Sequence, residues 1–195
     1  MRKSLKMKFL LSLAFLCFSI LGFSQEETCN YKIQVDTDEE VFKLTNEQLT
    51  EFLVGKDRNV FIYFSLMREN DVKSLVIQVS VNAKEMPPIL CFNKDSRVSF
   101  ALEDGSFASL RYLGEVTCGR QTENTDTLNN STSEAAFLLD EVGIERLQQS
   151  KIASMRITTM KTNFDVSFQD VLSNDQIPNP IYPKEFFLNN LKCLE

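Results

Sequence analysis

The 195-residue chain holds 43% hydrophobic residues, including sixteen phenylalanines, which is apolar material enough for one domain with a full core. It contains no histidine, which excludes Ser-His-Asp and Cys-His hydrolases, imidazole zinc sites and the commonest general base. A net charge of −6 opposes binding to phosphate backbones and anionic membranes.

Arg2, Lys3, Lys6 and Lys8 precede an apolar run from Phe9 to Phe23, and polarity jumps at Ser24-Gln25-Glu26-Glu27. A charged start, a short greasy core and a small residue at its end are the three regions of a secretory signal peptide. The run of 15 residues is short against the roughly 20 of a bilayer span. Cys17 makes a poor lipid attachment point, because the bulky Phe15 and Leu16 precede it. Residues 1–24 are therefore read as a signal peptide and residues 25–195 as a single mature domain with no transmembrane segment. Leu21-Gly22-Phe23-Ser24 followed by Gln25 resembles the leaders of exported proteins of Bacteroidota. The expected location is periplasmic or extracellular, with envelope association as an alternative. Loss of the four leader cations takes Lys plus Arg from 21 to 17 against 27 Asp plus Glu, a mature net charge of −10.

Cys29, Cys91, Cys118 and Cys193 remain, an even number in an oxidising compartment. At least one disulfide is expected, with three connectivities open. The wide spacings exclude CxxC metal knuckles. Cys29 and Cys193 lie near the two ends of the mature chain, and domain termini often sit close together, which favours a Cys29–Cys193 bond.

Ile33 and Val35 predict a short edge strand, and Val41 to Leu44 another. Thr45-Asn46-Glu47-Gln48 reads as a capping box, opening a helix with Leu49, Phe52 and Leu53 at helical spacing and Gly55 at its end. Val60 to Leu66 alternates with apolar residues on both faces and predicts a central strand. A polar turn at Arg68 to Asp71 joins it to a second alternating run over Leu75–Val81. Met86-Pro87-Pro88 breaks the chain, and Ile89 to Phe92 predicts a short strand. Glu103-Asp104-Gly105 separates the alternating runs Arg97–Leu102 and Ser106–Leu113, a strong hairpin signal. Gly119 to Ser133 is polar throughout and reads as a loop.

Ala135 to Leu139 predicts a strand, Asp140 a helix cap with Ile144 and Leu147 on one face, and Met155, Ile157 and Thr159 the next strand. Asn163 falls in a turn before a strand with Phe164, Val166 and Phe168. Pro178, Pro180 and Pro183 stiffen a connector. Lys184 to Leu194 reads as a final amphipathic helix with Phe187, Leu188, Leu191 and Leu194 inward. Residues 41–66 and 136–161 echo one another as strand, capped helix, strand, which raises a duplication. The fold class that emerges is α+β: an antiparallel, hairpin-rich sheet with two or three short helices packed on one face.

Without histidine or a phosphate-cradling glycine loop, chemistry would fall to carboxylates. The acidic groups are Asp36, Asp38, Glu39 and Glu40, then Glu103 and Asp104. Neither group has a calcium-loop pattern, and neither is marked as buried or paired. Asn129 and Asn130 each begin a glycosylation sequon, and Asp126-Thr127-Leu128 resembles the O-linked acceptor motif of Bacteroidota. Phe61, Tyr63, Phe107 and Tyr112 lie on strands, only one face of which can be core; helices are expected to cover the other.

Ile144-Glu145-Arg146-Leu147 followed by Met155-Arg156-Ile157-Thr158, and the closing Phe186-Phe187 to Cys193-Leu194, resemble small exported proteins of Bacteroidota. That resemblance implies no activity. The reading is of a non-catalytic module binding a small ligand or protein, with no catalytic residue, cofactor or metal ligand assigned and no nucleic acid as partner. A carboxylate-dependent glycan hydrolase and a structural envelope protein are the alternatives.

Overall fold

The computed structural model describes residues 29–124, 127–174, 177 and 179–195. The leader, together with Asp126 and Pro178, lies outside the described residues.

Thirteen antiparallel strands dominate the described chain. The larger sheet contains β1 (Tyr31–Asp36), β2 (Val41–Thr45), β3 (Gln48–Val54), β4 (Arg58–Glu69), β5 (Val72–Ala83), β10 (Arg120–Thr122) and β11 (Asn129–Leu138). Its order is β1-β2-β4-β5-β11-β10, with β3 also paired to β4. The smaller sheet runs β13-β12-β7-β8, built from β7 (Arg97–Leu102), β8 (Phe107–Arg111), β12 (Ile152–Thr158) and β13 (Asn163–Ser167). A two-stranded ladder joins β6 (Cys91–Phe92) to β9 (Thr117–Cys118).

The two expected hairpins are present. β4 and β5 meet through Asn70-Asp71, where Asn70 takes a φ of +52° and its side chain accepts the Val41 N–H. Asparagine tolerates that left-handed backbone better than most residues. β7 and β8 meet around Gly105, at φ +85°, a conformation that favours glycine.

Alternation on these strands builds one core. Ile62, Phe64 and Leu66 of β4 and Leu75, Ile77 and Val79 of β5 join Val98, Phe100, Leu110, Met155 and Ile157 of the smaller sheet in a single buried cluster. Phe64 packs edge-on against Phe100, Phe168 and Phe186.

The molecule is mainly β, which corrects the α+β expectation. Among the described residues, helix is confined to α1 (Glu141–Leu147), capped as expected by Asp140 through the Gly143 N–H, and α2 (Phe186–Asn190), flanked by 3₁₀ turns at Pro183–Glu185 and Leu191–Leu194. These segments form no layer over a sheet face. Phe186, Phe187, Leu191 and Leu194 instead enter the common core, while Leu188, expected inward, is 38% exposed. Tyr182-Pro183 starts the helical turn tightly, and the change of helix type shifts which residues face inward.

The helix expected after Thr45 is the strand β3. A bulge between Leu49 and Glu51 explains the misleading pattern. It places Gln48 and Glu51 opposite the inward-facing Phe64 and Ile62, and Leu49 and Phe52 opposite Tyr63 and Phe61. An extra residue thus turns the strand's period of two into a local period of three, which imitates a helix. Thr45, the expected cap, accepts the Leu66 N–H across the sheet instead. Residues 41–66 are consequently strand, strand, strand, whereas 136–161 are strand, helix, strand; the shared plan is not found.

The loop expected over Gly119–Ser133 contains β10 and the start of β11. Its polar residues are strand residues because their groups find partners: Ser131 donates to the Pro88 carbonyl and Ser133 accepts the Leu90 N–H. Both serines are buried. Gly119 sits hard against this strand, where a Cβ would collide with the Thr132 carbonyl. Asn163, expected in a turn, opens β13; the turn is made by Thr159–Thr162 through the Thr159 hydroxyl.

Candidate functional site

Two disulfides close the structure, Cys29–Cys193 and Cys91–Cys118. The second joins directly opposed residues of β6 and β9. The first ties the entry to β1 onto the C-terminal 3₁₀ turn, across a sequence separation of 164.

Three donors reinforce that junction. Tyr31 Oη donates to the Cys193 carbonyl at 2.9 Å, Arg68 Nη1 to the Leu194 carbonyl at 3.2 Å, and Lys43 Nζ to the Glu195 carbonyl at 2.9 Å. The last carbonyls of a helical segment have no partner within it and carry its negative end, so a hydroxyl and two cations satisfy both needs.

Beside this junction lies a groove of about 760 Å³, within the range of roughly 300–1,000 Å³ typical of small-molecule sites. Its walls come from three segments distant in sequence: Cys29-Asn30, the β2–β3 connection Thr45–Leu49, and residues 179–193 of the C-terminal region. Six of its fifteen lining residues are amides: Asn30, Asn46, Gln48, Asn179, Asn189 and Asn190. Asn190 Nδ2 donates to the Phe186 carbonyl at 2.7 Å and approaches Gln48 Oε1 at 3.5 Å. Among the described residues, the side chains of Asn30 and Asn46 meet no protein hydrogen-bond partner. Glu47 is ion-paired to Lys32 at 2.7 Å. Leu49, Pro180, Ile181 and the half-exposed Tyr182 supply apolar surface.

The sequence singled out other positions. Asp36 is exposed and paired with Lys43 at 3.1 Å, and Asp38, Glu39 and Glu40 are exposed. Glu103 pairs with Lys184, which also holds Asp170. Asp104 accepts from the Ser106 hydroxyl and N–H, and these bonds hold its carboxyl below the usual range. Asp36 and Glu103 are therefore in surface ion pairs and Asp104 caps a turn, and none of Asp36, Asp38, Glu39, Glu40 or Glu103 lines the groove beside the Cys29–Cys193 bond. Among the described residues, no group of three or more Cys, Asp or Glu is placed to hold a metal ion. The sequon amides are engaged: Asn129 Nδ2 donates to the Lys84 carbonyl at 2.7 Å and Asn130 Nδ2 to Asn82 Oδ1 at 2.8 Å.

Of the aromatic positions, Phe61 and Tyr63 are half-buried on the larger sheet's outer face, which no helix among the described residues covers. They share it with Ile33 and Val35, exposed by 44% and 37%. Phe107 is exposed, and Tyr112 packs against Phe92 and Phe137. The expected helical cover is therefore not found among the described residues.

Sequence reasoning missed Glu51. The bulge turns this carboxyl to the core side, where it is 2% exposed and accepts the Phe52 N–H at 2.9 Å. Burial raises its pKa, and the Phe52 bond lowers it by less. A raised acid pKa means the native state still holds a proton that the unfolded chain has released. Native stability must fall as pH rises from the ordinary carboxyl range through the native pKa. Glu51→Gln keeps the acceptor and removes the charge. It should raise the melting temperature at pH 7 by a few degrees, at about 2–4 °C per kcal/mol, with the gain shrinking at pH 4. Thermal unfolding at both pH values checks this; an equal gain at both would show that charge is not the cause.

Protein-family models, characterised sequences and solved structures give no match to this chain.

Proposed function

We propose that the chain is an exported, non-catalytic binding module whose ligand occupies the amide-lined groove beside the Cys29–Cys193 bond. The observation that carries this reading is the groove itself: three distant segments are fixed together there, and Asn30 and Asn46 present side-chain amides that the fold does not consume. Both side chains are exposed beside the concavity, where a ligand's polar groups can replace the water that hydrates them. Export is supported by the leader-like residues 1–24 and by two disulfides, which persist in oxidising compartments. Among the described residues no helix is long and apolar enough to cross a membrane.

The groove's composition supports binding over hydrolysis. A glycan hydrolase needs two carboxyl groups about 5–9 Å apart across a cleft, one of them with a raised pKa. This groove is lined by a single carboxylate, Glu47, which Lys32 neutralises. Glu51, the carboxyl that burial pushes up, does not line it.

Fragment screening by saturation-transfer NMR tests the site without assuming a ligand class. Asn46→Trp, at an exposed position, should fill the groove and abolish most fragment signals while leaving the fold intact. Fragments that bind equally well to the blocked protein would place the ligand elsewhere and overturn the reading.

A further inference from the structure

Resting on that reading of the groove, we propose that its ligand is a neutral, polyhydroxylated molecule, a saccharide chain in chemical class. Three features of the lining select this chemistry.

The first is the donor and acceptor inventory. A primary amide offers two N–H donors and a carbonyl acceptor, all uncharged. A sugar hydroxyl is also donor and acceptor at once, so adjacent hydroxyls on one ring can pair with both ends of a single amide. Asn30 and Asn46, which the fold does not consume, supply this recognition unit twice along the groove, beside Gln48, Asn189 and Asn190, which are engaged within the protein. Anionic ligands are instead held by arginine forks or by lysines. No arginine lines the groove, and a single lysine, Lys192, does.

The second feature is charge. The molecule as a whole is acidic, at net −6 before any loss of the leader, so its field repels polyanions. A neutral ligand escapes this repulsion. Ion pairing of Glu47 to Lys32 also removes the one carboxylate that would attract a cation.

The third feature is the apolar strip. Tyr182, 49% exposed, lines the groove together with Pro180, Ile181 and Leu49. The face of an aromatic ring is electron-rich and attracts the weakly positive C–H groups on one side of a pyranose ring. A ligand that is polar at its edge and apolar on its face fits a groove of amides beside a tyrosine. Extended peptides make a different demand. They need main-chain pairing along a sheet edge and separate pockets for alternate side chains. Here six of the fifteen lining residues carry side-chain amides.

The closing experiment uses the purified oxidised protein and isothermal titration with cellohexaose, xylohexaose, mannohexaose and chitohexaose. Hexagalacturonate serves as the anionic control, and an uncharged blocked hexapeptide as the peptide control. At least one neutral oligosaccharide should bind, with the anionic analogue at least tenfold weaker. Asn30→Ala/Asn46→Ala and Tyr182→Ala should each weaken that binding about tenfold or more. Neither amide holds the fold together, and circular dichroism with a free-thiol count confirms integrity. Binding of only hexagalacturonate or only the peptide, weakened by the same substitutions, would overturn the ligand class and leave the binding site standing. Saccharide binding that these substitutions do not change would overturn the site itself. Failure of all four neutral probes would overturn the class.

Discussion

Replacing Phe64 with alanine should destabilise the protein by about 3–5 kcal/mol, the range for removing a large aromatic from a packed core. Phe64 is fully buried. Its ring lies 5.2–6.2 Å from those of Phe100, Phe168, Phe186 and Phe187. Those partners come from the smaller sheet, the segment after β13 and the C-terminal helical turn. One side chain thus joins both sheets and the closing segment. Aromatic pairs of this kind are worth about 0.5–1.5 kcal/mol each beyond the area they bury, so the loss should fall at the upper end. Phe64→Leu should cost clearly less, because it keeps most of the volume. Urea unfolding followed by circular dichroism measures both. A loss below 1 kcal/mol for the alanine variant would mean that the two sheets do not depend on this junction.

Removing the Cys29–Cys193 bond by serine substitution at both positions should cost about 3–5 kcal/mol. In the chain-entropy account a disulfide's contribution grows with the loop it closes and reaches about 4.7 kcal/mol for 100 residues. The loop here spans 164. The Tyr31, Arg68 and Lys43 contacts remain, so the C-terminal turn should stay seated at low temperature and release early on heating. At about 2–4 °C per kcal/mol the melting temperature should drop by roughly 10 °C. Removing Cys91 and Cys118 in the same way opens a loop of only 27 and should cost less. Differential scanning calorimetry of the two double variants ranks them, and the reverse order would contradict the loop argument.

Much of this fold could be read from residue order alone, and the failures have identifiable causes. Val60–Leu66 and Leu75–Val81 announced their hairpin because both faces of β4 and β5 carry apolar residues at period two. Asp104-Gly105 announced the second hairpin through the one residue suited to positive φ. The Cys29–Cys193 bond followed from the position of the two cysteines in the chain. β3 was illegible because one bulged residue at Thr50 gives a strand the spacing of a helix. β11 was hidden for the opposite reason: Ser131 and Ser133 are buried yet polar, and only their partners at Pro88 and Leu90 make that tolerable. The groove was invisible because its amides come from three separate stretches and follow no period. A lone asparagine in a sequence looks like a turn residue, and only the disulfide and the sheet register bring Asn30, Asn46 and Asn190 together.

The seating of residues 186–194 in the common core also sets the order in which the molecule can become whole. A polypeptide emerging amino terminus first has both sheets at hand well before Phe186, Phe187 and Leu191 arrive to complete the aromatic cluster around Phe64. Until then the interior is open and Cys29 lacks its partner. The interior cluster is therefore complete only once nearly the whole chain is present. The Cys29–Cys193 bond then acts as a final latch, because its second cysteine lies among the last residues to be made.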